Sequence, residues 1–215
     1  MKSKSPNKVP PLTLRLATIL IFYLISGGLY FLINKLNEGK PAYTLGITLD
    51  SCIPFVPFWA WFYVLYFVVI VTPFFFINDY RELKLSIISY SIAATITLCF
   101  YFFWRTYMIR PEVIGNGVSE WLVKMIYRAD NPYNCFPSQH VTFSWLAAMV
   151  ARRKNKVFGG IWVVLALLIS LSTLFIKQHW FMDLLSGIIT AIVAYLLVFE
   201  IFGHKKSNRV EKFSN

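Results

Sequence analysis

The sequence predicts an all-α, polytopic membrane protein, and two properties carry that prediction. Of the 215 residues, 57% are hydrophobic and only 14% are charged, whereas a soluble domain carries about 25% charged residues. The apolar residues are also gathered into long runs that are separated by short basic clusters. A chain with so few polar groups cannot cover a water-facing surface, so the membrane is its expected solvent.

Six apolar runs predict a bundle of six transmembrane helices. Five of them reach the length of about 20 residues that a helix needs to cross the hydrocarbon core. The fourth is shorter, and we expect it to begin inside the bundle beside a water-filled cavity. One membrane-embedded domain is predicted over 1–215, with a core at about 12–202 and tails at 1–11 and 203–215. The runs cover 12–34, 57–77, 85–104, 140–151, 157–176 and 180–202.

The distribution of Lys and Arg predicts the orientation of this bundle. Six spans place both termini on one side, which carries 14 of the 21 basic residues and leaves 7 for the other side. The positive-inside rule then places both termini in the cytoplasm of a cell, with the protein in the inner membrane of a bacterium. Although the formal net charge is +11, basic clusters between apolar runs indicate membrane topology and no nucleic-acid partner.

The three cysteines leave two interpretations open. Cys52 and Cys135 both fall in predicted outer loops, whereas Cys99 lies within a span. The first two could form a disulfide in an oxidising compartment. Alternatively, they are free thiols that pack as small apolar side chains.

Two histidines lie where outward-facing helices are predicted to begin. His140 ends the sequence Phe-Pro-Ser-Gln-His, and His179 is followed four residues later by Asp183 on the same helix face. An ionisable group at membrane depth is costly without a partner, so the pair His179–Asp183 predicts a functional site. The alternative is a structural hydrogen bond between two helices.

Basic residues and a helix start surround these histidines. Arg110, Lys177 and Arg105 fall in the predicted outer loops and could converge on one anion, for which Arg offers a fork suited to phosphate oxygens. Ser138 is a good helix cap, and the helix that it begins would direct free N–H groups at the same anion. The alternative for each cation, and for Arg105 above all, is a side chain that snorkels to the interface.

This combination resembles the type 2 phosphatidic acid phosphatase (PAP2) superfamily, whose pattern is K-x6-R-P, then P-S-G-H, then S-R-x5-H-x3-D. Arg110 and Pro111 match the end of the first motif, and residues 137–140 match the second with Gln139 in place of Gly. The third motif is matched by Ser172, His179 and Asp183. The order of the motifs and the six spans extend the resemblance over nearly the whole chain.

Two family cations are missing from their usual places. Phe103 stands at the Lys position of the first motif and Thr173 at the Arg position of the third. Arg105 and Lys177 are therefore candidates to replace them. The forms F-P-S-x-H and K-Q-H-W-x-x-D, together with the sequence 53–57, look more like the branch that contains inositol phosphorylceramide synthases, which includes transferases as well as phosphatases.

The resemblance implies a phosphatase that acts on a lipid phosphate monoester or diphosphate at the extracytoplasmic face. His179 would take the phosphoryl group as a phosphohistidine, Asp183 would orient it, and His140 would exchange protons with the leaving and entering groups. No metal or other cofactor is implied, and the partners are the lipid substrate and the phospholipid bilayer. The implied phosphate-binding residues are Arg110, Lys177, Ser138, Gln139 and Arg105.

Two other functions stay open at this point. One is a transferase that moves a phosphate-bearing head group between lipids, as the synthase branch does. The other is a small proton-coupled transporter, in which the His–Asp pair would relay protons. A transporter would predict broken helices or repeats at mid-membrane, whereas these groups lie near the outer ends of the predicted spans.

The loop before the second motif predicts a short amphipathic helix. Apolar residues recur there at helical spacing, with charged residues on the opposite side. We expect this helix to lie at the membrane surface and to form a rim that admits a lipid from the outer leaflet. Plain surface packing is the alternative. The apolar residues are Val118, Trp121, Leu122, Met125 and Ile126, and the charged ones are Glu120, Lys124 and Arg128.

Overall fold

The computed structural model describes residues 9–202, and it is built from helices joined by irregular loops. Within that range there is no β-strand, only two isolated bridges that join loops at one end of the molecule. The predicted all-α class is therefore confirmed. The helices are α1 (Leu12–Asn37), α2 (Thr48–Cys52), α3 (Ala60–Val69), α4 (Tyr80–Phe103), α5 (Val118–Ala129), α6 (Gln139–Lys154), α7 (Lys156–Phe175) and α8 (Phe181–Leu196).

Five segments of the described chain are long and apolar enough to cross a membrane. Three are α1, α4 and α7. The fourth is α3 together with its flanking 3₁₀ turns, Pro57–Phe76, and the fifth is α8 with its π-helical extension, Phe181–Ile201. Their mean hydropathy lies between 1.7 and 2.3. A polytopic membrane protein is thus confirmed. Of the predicted tails, residues 1–8 and 203–215 lie outside the described residues.

The fourth predicted span corresponds to α6, which does not reach the length and apolarity of the other five. Its 16 residues extend about 24 Å at the usual helical rise. Nine of them are buried, and α6 packs against α3, α4, α7 and α8. Because its neighbours shield it, α6 tolerates polar residues such as Ser144, whereas a lipid-facing helix could not. The count of six spans is therefore not confirmed.

Several helices meet at one end of the bundle, which we call the site end: α1, α4 and α7 finish there, and α6 and α8 begin there. The side chain of Gln139, the first residue of α6, donates to Thr97 Oγ1 over 2.8 Å. Thr97 lies six residues before the end of α4, or about 9 Å along that helix. The helix α6 therefore begins inside the bundle, as the sequence predicted for its fourth run.

The predicted amphipathic segment forms α5, but its apolar residues divide into two groups. Leu122 and Ile126 pack with Val123 against α3 and the end of α7. Val118 and Trp121 instead remain 66% and 58% exposed. Since only part of the apolar face is covered by protein, α5 still presents an apolar edge to its surroundings.

The thiols of Cys52, Cys99 and Cys135 are all free. Cys52 and Cys99 are exposed, whereas Cys135 is buried at the site end. The possible disulfide between Cys52 and Cys135 is therefore absent from this structure.

The starts of α6 and α8 are held together at close range. Ser138 N donates to the Asp183 carbonyl over 3.1 Å, and Thr142 Oγ1 donates to the Gly187 carbonyl over 3.2 Å. A Cβ on Gly187 would lie only 2.8 Å from the Ser138 carbonyl oxygen and 2.9 Å from Val141 Cβ. Glycine is thus required where the two helices cross, directly below the residues of the candidate site.

We predict that Gly187→Ala lowers the stability of the protein by about 1–3 kcal/mol, because the added methyl group must push α6 away from α8. Gly160→Ala is the matched control, since a Cβ there meets nothing within 4 Å. In mid-helix that control should be neutral or stabilise by up to about 1 kcal/mol. Thermal unfolding in detergent, followed by circular dichroism, measures both. Equal unfolding midpoints for the two variants would contradict the close approach.

Candidate active site

The pair His179–Asp183 is assembled at the start of α8, with a third group that the sequence did not indicate. His179 Nδ1 lies 2.9 Å from the Cys135 carbonyl oxygen and 3.4 Å from Asp183 Oδ2. Both are acceptors, so Nδ1 carries the proton and Nε2 keeps the lone pair of the neutral ring. Asp183 is fully buried and also accepts from Trp180 N over 2.8 Å. The arrangement therefore leaves the lone pair of Nε2 free of the groups that hold Nδ1.

His140 is brought beside this pair by the first turn of α6. Its ring stacks on Tyr63, with centroids 4.2 Å apart, and lies 4.3 Å from the ring of Tyr66. Its Nδ1 is 3.5 Å from the Tyr63 hydroxyl. The ring centroids of His140 and His179 are 6.2 Å apart. The structure thus places the two predicted histidines side by side in one site.

Arg110 reaches the same site through Gln178. Its guanidinium donates to the Asp130 carbonyl over 2.6 Å and to Gln178 Oε1 over 2.5 Å, and it covers the ring of Tyr127 at 4.6 Å. A weaker bond, of 3.4 Å, reaches the Tyr127 carbonyl. Three of the five N–H donors of the guanidinium are therefore engaged, and two are left for an anion. Gln178 was not predicted as a site residue, although it lies next to His179 within the third motif.

Lys177 and Arg105 are placed differently from what the sequence suggested. Lys177 Nζ donates to the carbonyls of Ile53 and Asp50, over 2.6 and 3.2 Å. Burial lowers the pKa of this ammonium, and the nearby Asp50 carboxylate opposes that effect. The Arg105 side chain forms no hydrogen bond to another residue of the range 9–202, although its carbonyl accepts from Tyr43 N. Phosphate binding by either cation stays a prediction.

Ser138 and Gln139 occupy the start of α6. Ser138 caps the helix, because its hydroxyl accepts from Val141 N over 3.4 Å, as predicted. The Gln139 amide points away toward α4, where it is bonded to Thr97. The contribution of these two residues to anion binding is consequently expected from the N–H groups of the first helical turn.

Four buried polar atoms around His179 have no hydrogen-bond partner within residues 9–202: Arg110 Nε, His140 Nε2, Gln178 Nε2 and Asp183 Oδ1. Buried polar groups are normally paired, because an unpaired group forfeits its hydration. Arg110 Nε and Gln178 Nε2 are donors, His140 Nε2 is a donor or an acceptor, and Asp183 Oδ1 is an acceptor. Four unpaired atoms of these kinds in one cluster indicate a ligand-binding site.

Asp130 is a further acidic residue at the site end, and no sequence motif indicated it. Its carboxylate accepts from the Tyr30 hydroxyl over 2.9 and 3.0 Å and from Asn34 Nδ2 over 3.2 Å. Burial raises its pKa to about 6, although the Arg110 charge and the Tyr30 hydrogen bond act in the opposite direction. Its position at the end of α5 carries no motif spacing, so only the folded chain reveals it.

An apolar cavity of about 200 Å³ opens from the site between α1, α3, α5 and α6. His140 and Asp130 lie on its wall, and aromatic side chains form most of the remainder. Helices α1 and α3 do not pack closely against each other here, so the cavity separates them. The aromatic lining consists of Tyr23, Tyr30, Phe31, Tyr63, Tyr66, Phe67 and Phe143.

Comparison with known proteins gives two matches. Residues 59–207 match the sequence model of the PAP2 superfamily, which runs from the start of α3 past the end of α8. An uncharacterized protein of Methanocaldococcus jannaschii is 29% identical over 92 residues. That alignment covers 42% of this chain and 38% of that protein, so the chain spans well under half of its length. No solved structure matches the chain.

The raised pKa of Asp130 predicts a pH dependence of stability. The carboxylate is penalised in the folded protein, so the penalty is fully present above pH 6 and disappears as the pH falls toward the ordinary value of 3.8. We therefore expect Asp130→Asn to gain stability over the parent at pH 7.5 and to lose most of that gain by pH 4. Unfolding midpoints of both proteins across this range test it. A constant difference between them would contradict the raised pKa.

Proposed function

Because the chain belongs to the PAP2 superfamily, we propose that it is an integral-membrane phosphatase of lipid phosphate monoesters or diphosphates. The observation that carries the proposal is the fixed tautomer of His179, whose Nδ1 is bonded to Cys135 and Asp183. Its Nε2 is left with a lone pair, the ring of His140 lies 6.2 Å away between centroids, and Arg110 is bonded to the neighbouring Gln178. A neutral imidazole that is held in this way is a competent nucleophile for phosphorus.

In the first step, His179 Nε2 attacks the phosphorus atom. A P–N bond forms, the bond from phosphorus to the lipid oxygen breaks, and His140 gives a proton to that oxygen. The negative charge of the bound phosphate stabilises the protonated form of His140 before this transfer. The remaining N–H groups of Arg110 and the first turn of α6 stabilise the charge on the transferring phosphoryl group. Asp183 stabilises the positive charge that His179 acquires.

In the second step, neutral His140 takes a proton from water as the water oxygen attacks the phosphorus. The P–N bond breaks, orthophosphate leaves, and His179 returns to its neutral form. No step requires a metal. Within residues 9–202, no three His, Cys, Asp or Glu side chains are grouped closely enough to hold one.

The apolar cavity supports a lipid as the substrate. It begins at His140 and continues between α1 and α3, so a chain attached to the scissile oxygen would extend into it. The exposed edge of α5, with Val118 and Trp121, would dip into the same leaflet and form the rim of the entrance. We place this site at the extracytoplasmic face of a bacterial cell membrane, with α6 completing a six-helix bundle and both termini in the cytoplasm.

Head-group transfer is the second candidate. His140 lies on the wall of an apolar cavity rather than in an open polar cleft, so the hydroxyl of another lipid could take the place of water in the second step. A proton-coupled transporter is less well supported, because His140 and Asp183 lie in the first turns of α6 and α8 rather than at mid-span.

We predict that His179→Ala lowers phosphate release from a panel of lipid phosphates by at least about 1,000-fold, because the covalent route is lost. Asp183→Asn should lower kcat by about 10- to 100-fold, since the Cys135 carbonyl still holds the His179 tautomer. The purified protein is assayed in excess EDTA, with and without alcohol acceptors. Alcohol-dependent transfer without phosphate release would favour the transferase.

Ser89→Ala serves as the control for these variants. Its hydroxyl is buried in α4 and has no partner within residues 9–202, so its removal should leave kcat/KM unchanged. Full phosphate release by His179→Ala would rule out the phosphohistidine route. Loss of the parent activity in EDTA, with recovery on adding zinc or magnesium, would rule out metal independence.

The cavity can be tested with two adjacent glycines. Gly27 lines it, and Gly28 is exposed outside it, and a Cβ on either one meets nothing within 4 Å. We expect Gly27→Leu to fill the cavity and to lower kcat/KM for long-chain lipid phosphates by about 10-fold or more, as one or two buried methylene contacts are lost. Activity on a short, water-soluble phosphate ester should remain, and Gly28→Leu should match the parent. Equal losses on both substrates would contradict a chain-binding cavity.

A further inference from the structure

The positions of His179 and Arg110 depend on the segment 130–137, which has no regular secondary structure. The Cys135 carbonyl accepts from His179 Nδ1 over 2.9 Å, and the Asp130 carbonyl accepts from Arg110 over 2.6 Å. Both acceptors are backbone carbonyls, so their positions depend on the path of the main chain and not on the side chains of the segment. Whatever fixes the path of this segment also fixes the ring of His179 and the guanidinium.

Asn37 of α1 holds the part of the segment next to Cys135. Its side-chain amide donates to Asn134 Oδ1 over 3.1 Å and to the Tyr101 carbonyl over 2.9 Å. Asn134 completes the link by donating to the Tyr30 carbonyl over 3.0 Å. Asn37 is 3% exposed and Asn134 is 1% exposed, so water does not compete for these bonds.

Asn34, one turn earlier on the same face of α1, holds the part of the segment next to Asp130. Its side-chain amide lies 3.2 Å from Asp130 Oδ1 and 3.1 Å from the Asn131 carbonyl, with a longer contact of 3.4 Å to the Tyr133 carbonyl. Asn34 is likewise 3% exposed. Two asparagines three residues apart on α1 therefore hold the segment next to Asp130 and next to Cys135.

Two buried amides in a membrane helix are costly unless they are bonded. Elsewhere α1 is the most exposed of the five long apolar segments and has few buried residues. It also precedes residues 59–207, which match the PAP2 superfamily. The bonds of Asn34 and Asn37 therefore link the site to a helix that lies outside the matched region.

We infer that Asn37 and Asn34 of α1 are positioning residues for the phosphatase reaction. Asn37 keeps the Cys135 carbonyl where it selects the tautomer of His179, and Asn34 keeps the Asp130 carbonyl where it directs Arg110 at the phosphate. The inference rests on the proposed function. Its structural core, control of the His179 tautomer by α1, can be measured without any enzymatic activity.

The test uses the full-length protein with ¹⁵N-labelled histidine in detergent micelles. The chain has three histidines, so His179→Gln assigns the signal of His179. At neutral pH the parent should show the Nδ1–H tautomer. In Asn37→Leu only Asp183 Oδ2, at 3.4 Å, still accepts firmly from Nδ1, so we expect the Nε2–H tautomer to appear in part of the molecules. We expect kcat to fall by about 10-fold or more, with KM changed by less than twofold.

Asn134→Gly provides a second variant that preserves the backbone. Asn134 has a φ of +57°, a conformation that glycine adopts without strain, so this change removes the amide bonds alone. It should reproduce the tautomer shift of Asn37→Leu. Thr18→Val is the control on α1, because its hydroxyl is bonded to the Leu14 carbonyl of the same helix. It should keep the parent tautomer and the parent kcat.

Asn34→Leu tests the other end of the segment. Since Arg110 would lose its fixed direction, inorganic phosphate should inhibit this variant with a Ki raised by about 10-fold. A parental Ki would overturn the role of Asn34. A parental His179 tautomer in both Asn37→Leu and Asn134→Gly would overturn the role of Asn37. If the parent releases no phosphate from any lipid, the proposed function fails, while the tautomer measurement still decides whether α1 positions His179.

Discussion

The hydrogen bond from His179 Nδ1 to the Cys135 carbonyl is the constraint around which the site end is organised. It selects one tautomer, and a histidine can be a nucleophile at Nε2 only if its proton is held on Nδ1. Because the acceptor is a backbone carbonyl in an irregular segment, the surrounding chain has to hold that segment in place. Asn37 of α1 does so through Asn134, and the Tyr101 hydroxyl of α4 does so by donating to the Pro137 carbonyl over 2.6 Å. Elements far apart in sequence thus position one ring nitrogen.

The same constraint accounts for the character of α6. It begins inside the bundle, where its first turn faces His179, and it is covered by neighbouring helices along most of its length. Its start is bonded to α8 through Ser138 and Asp183, and Gly187 permits the close approach. A helix that begins inside the bundle, is covered by its neighbours and packs closely on α8 needs small and polar residues. It is therefore shorter and less apolar than the five segments that could face lipid.

The charged groups of the site are held mainly by backbone carbonyls and not by opposite charges. Arg110 is bonded to the carbonyls of Asp130 and Tyr127, and Lys177 to those of Asp50 and Ile53. Carbonyl dipoles orient a cation without neutralising it, so its charge remains available for an anion. This applies most directly to Arg110, which is bonded to Gln178, the neighbour of His179, and retains two N–H donors.

Composition and the lengths of the apolar runs determined the all-α membrane class, because both depend only on what each segment can bury. Local spacing likewise determined that Asp183 would reach His179 and that Ser138 would begin α6. Tertiary structure alone decided that Lys177 turns to the carbonyls near α2, that Cys135 orients His179, and that Asp130, Asn34 and Asn37 join the site. These contacts unite segments up to 127 residues apart, and no periodicity within a helix encodes which carbonyl a distant side chain will meet.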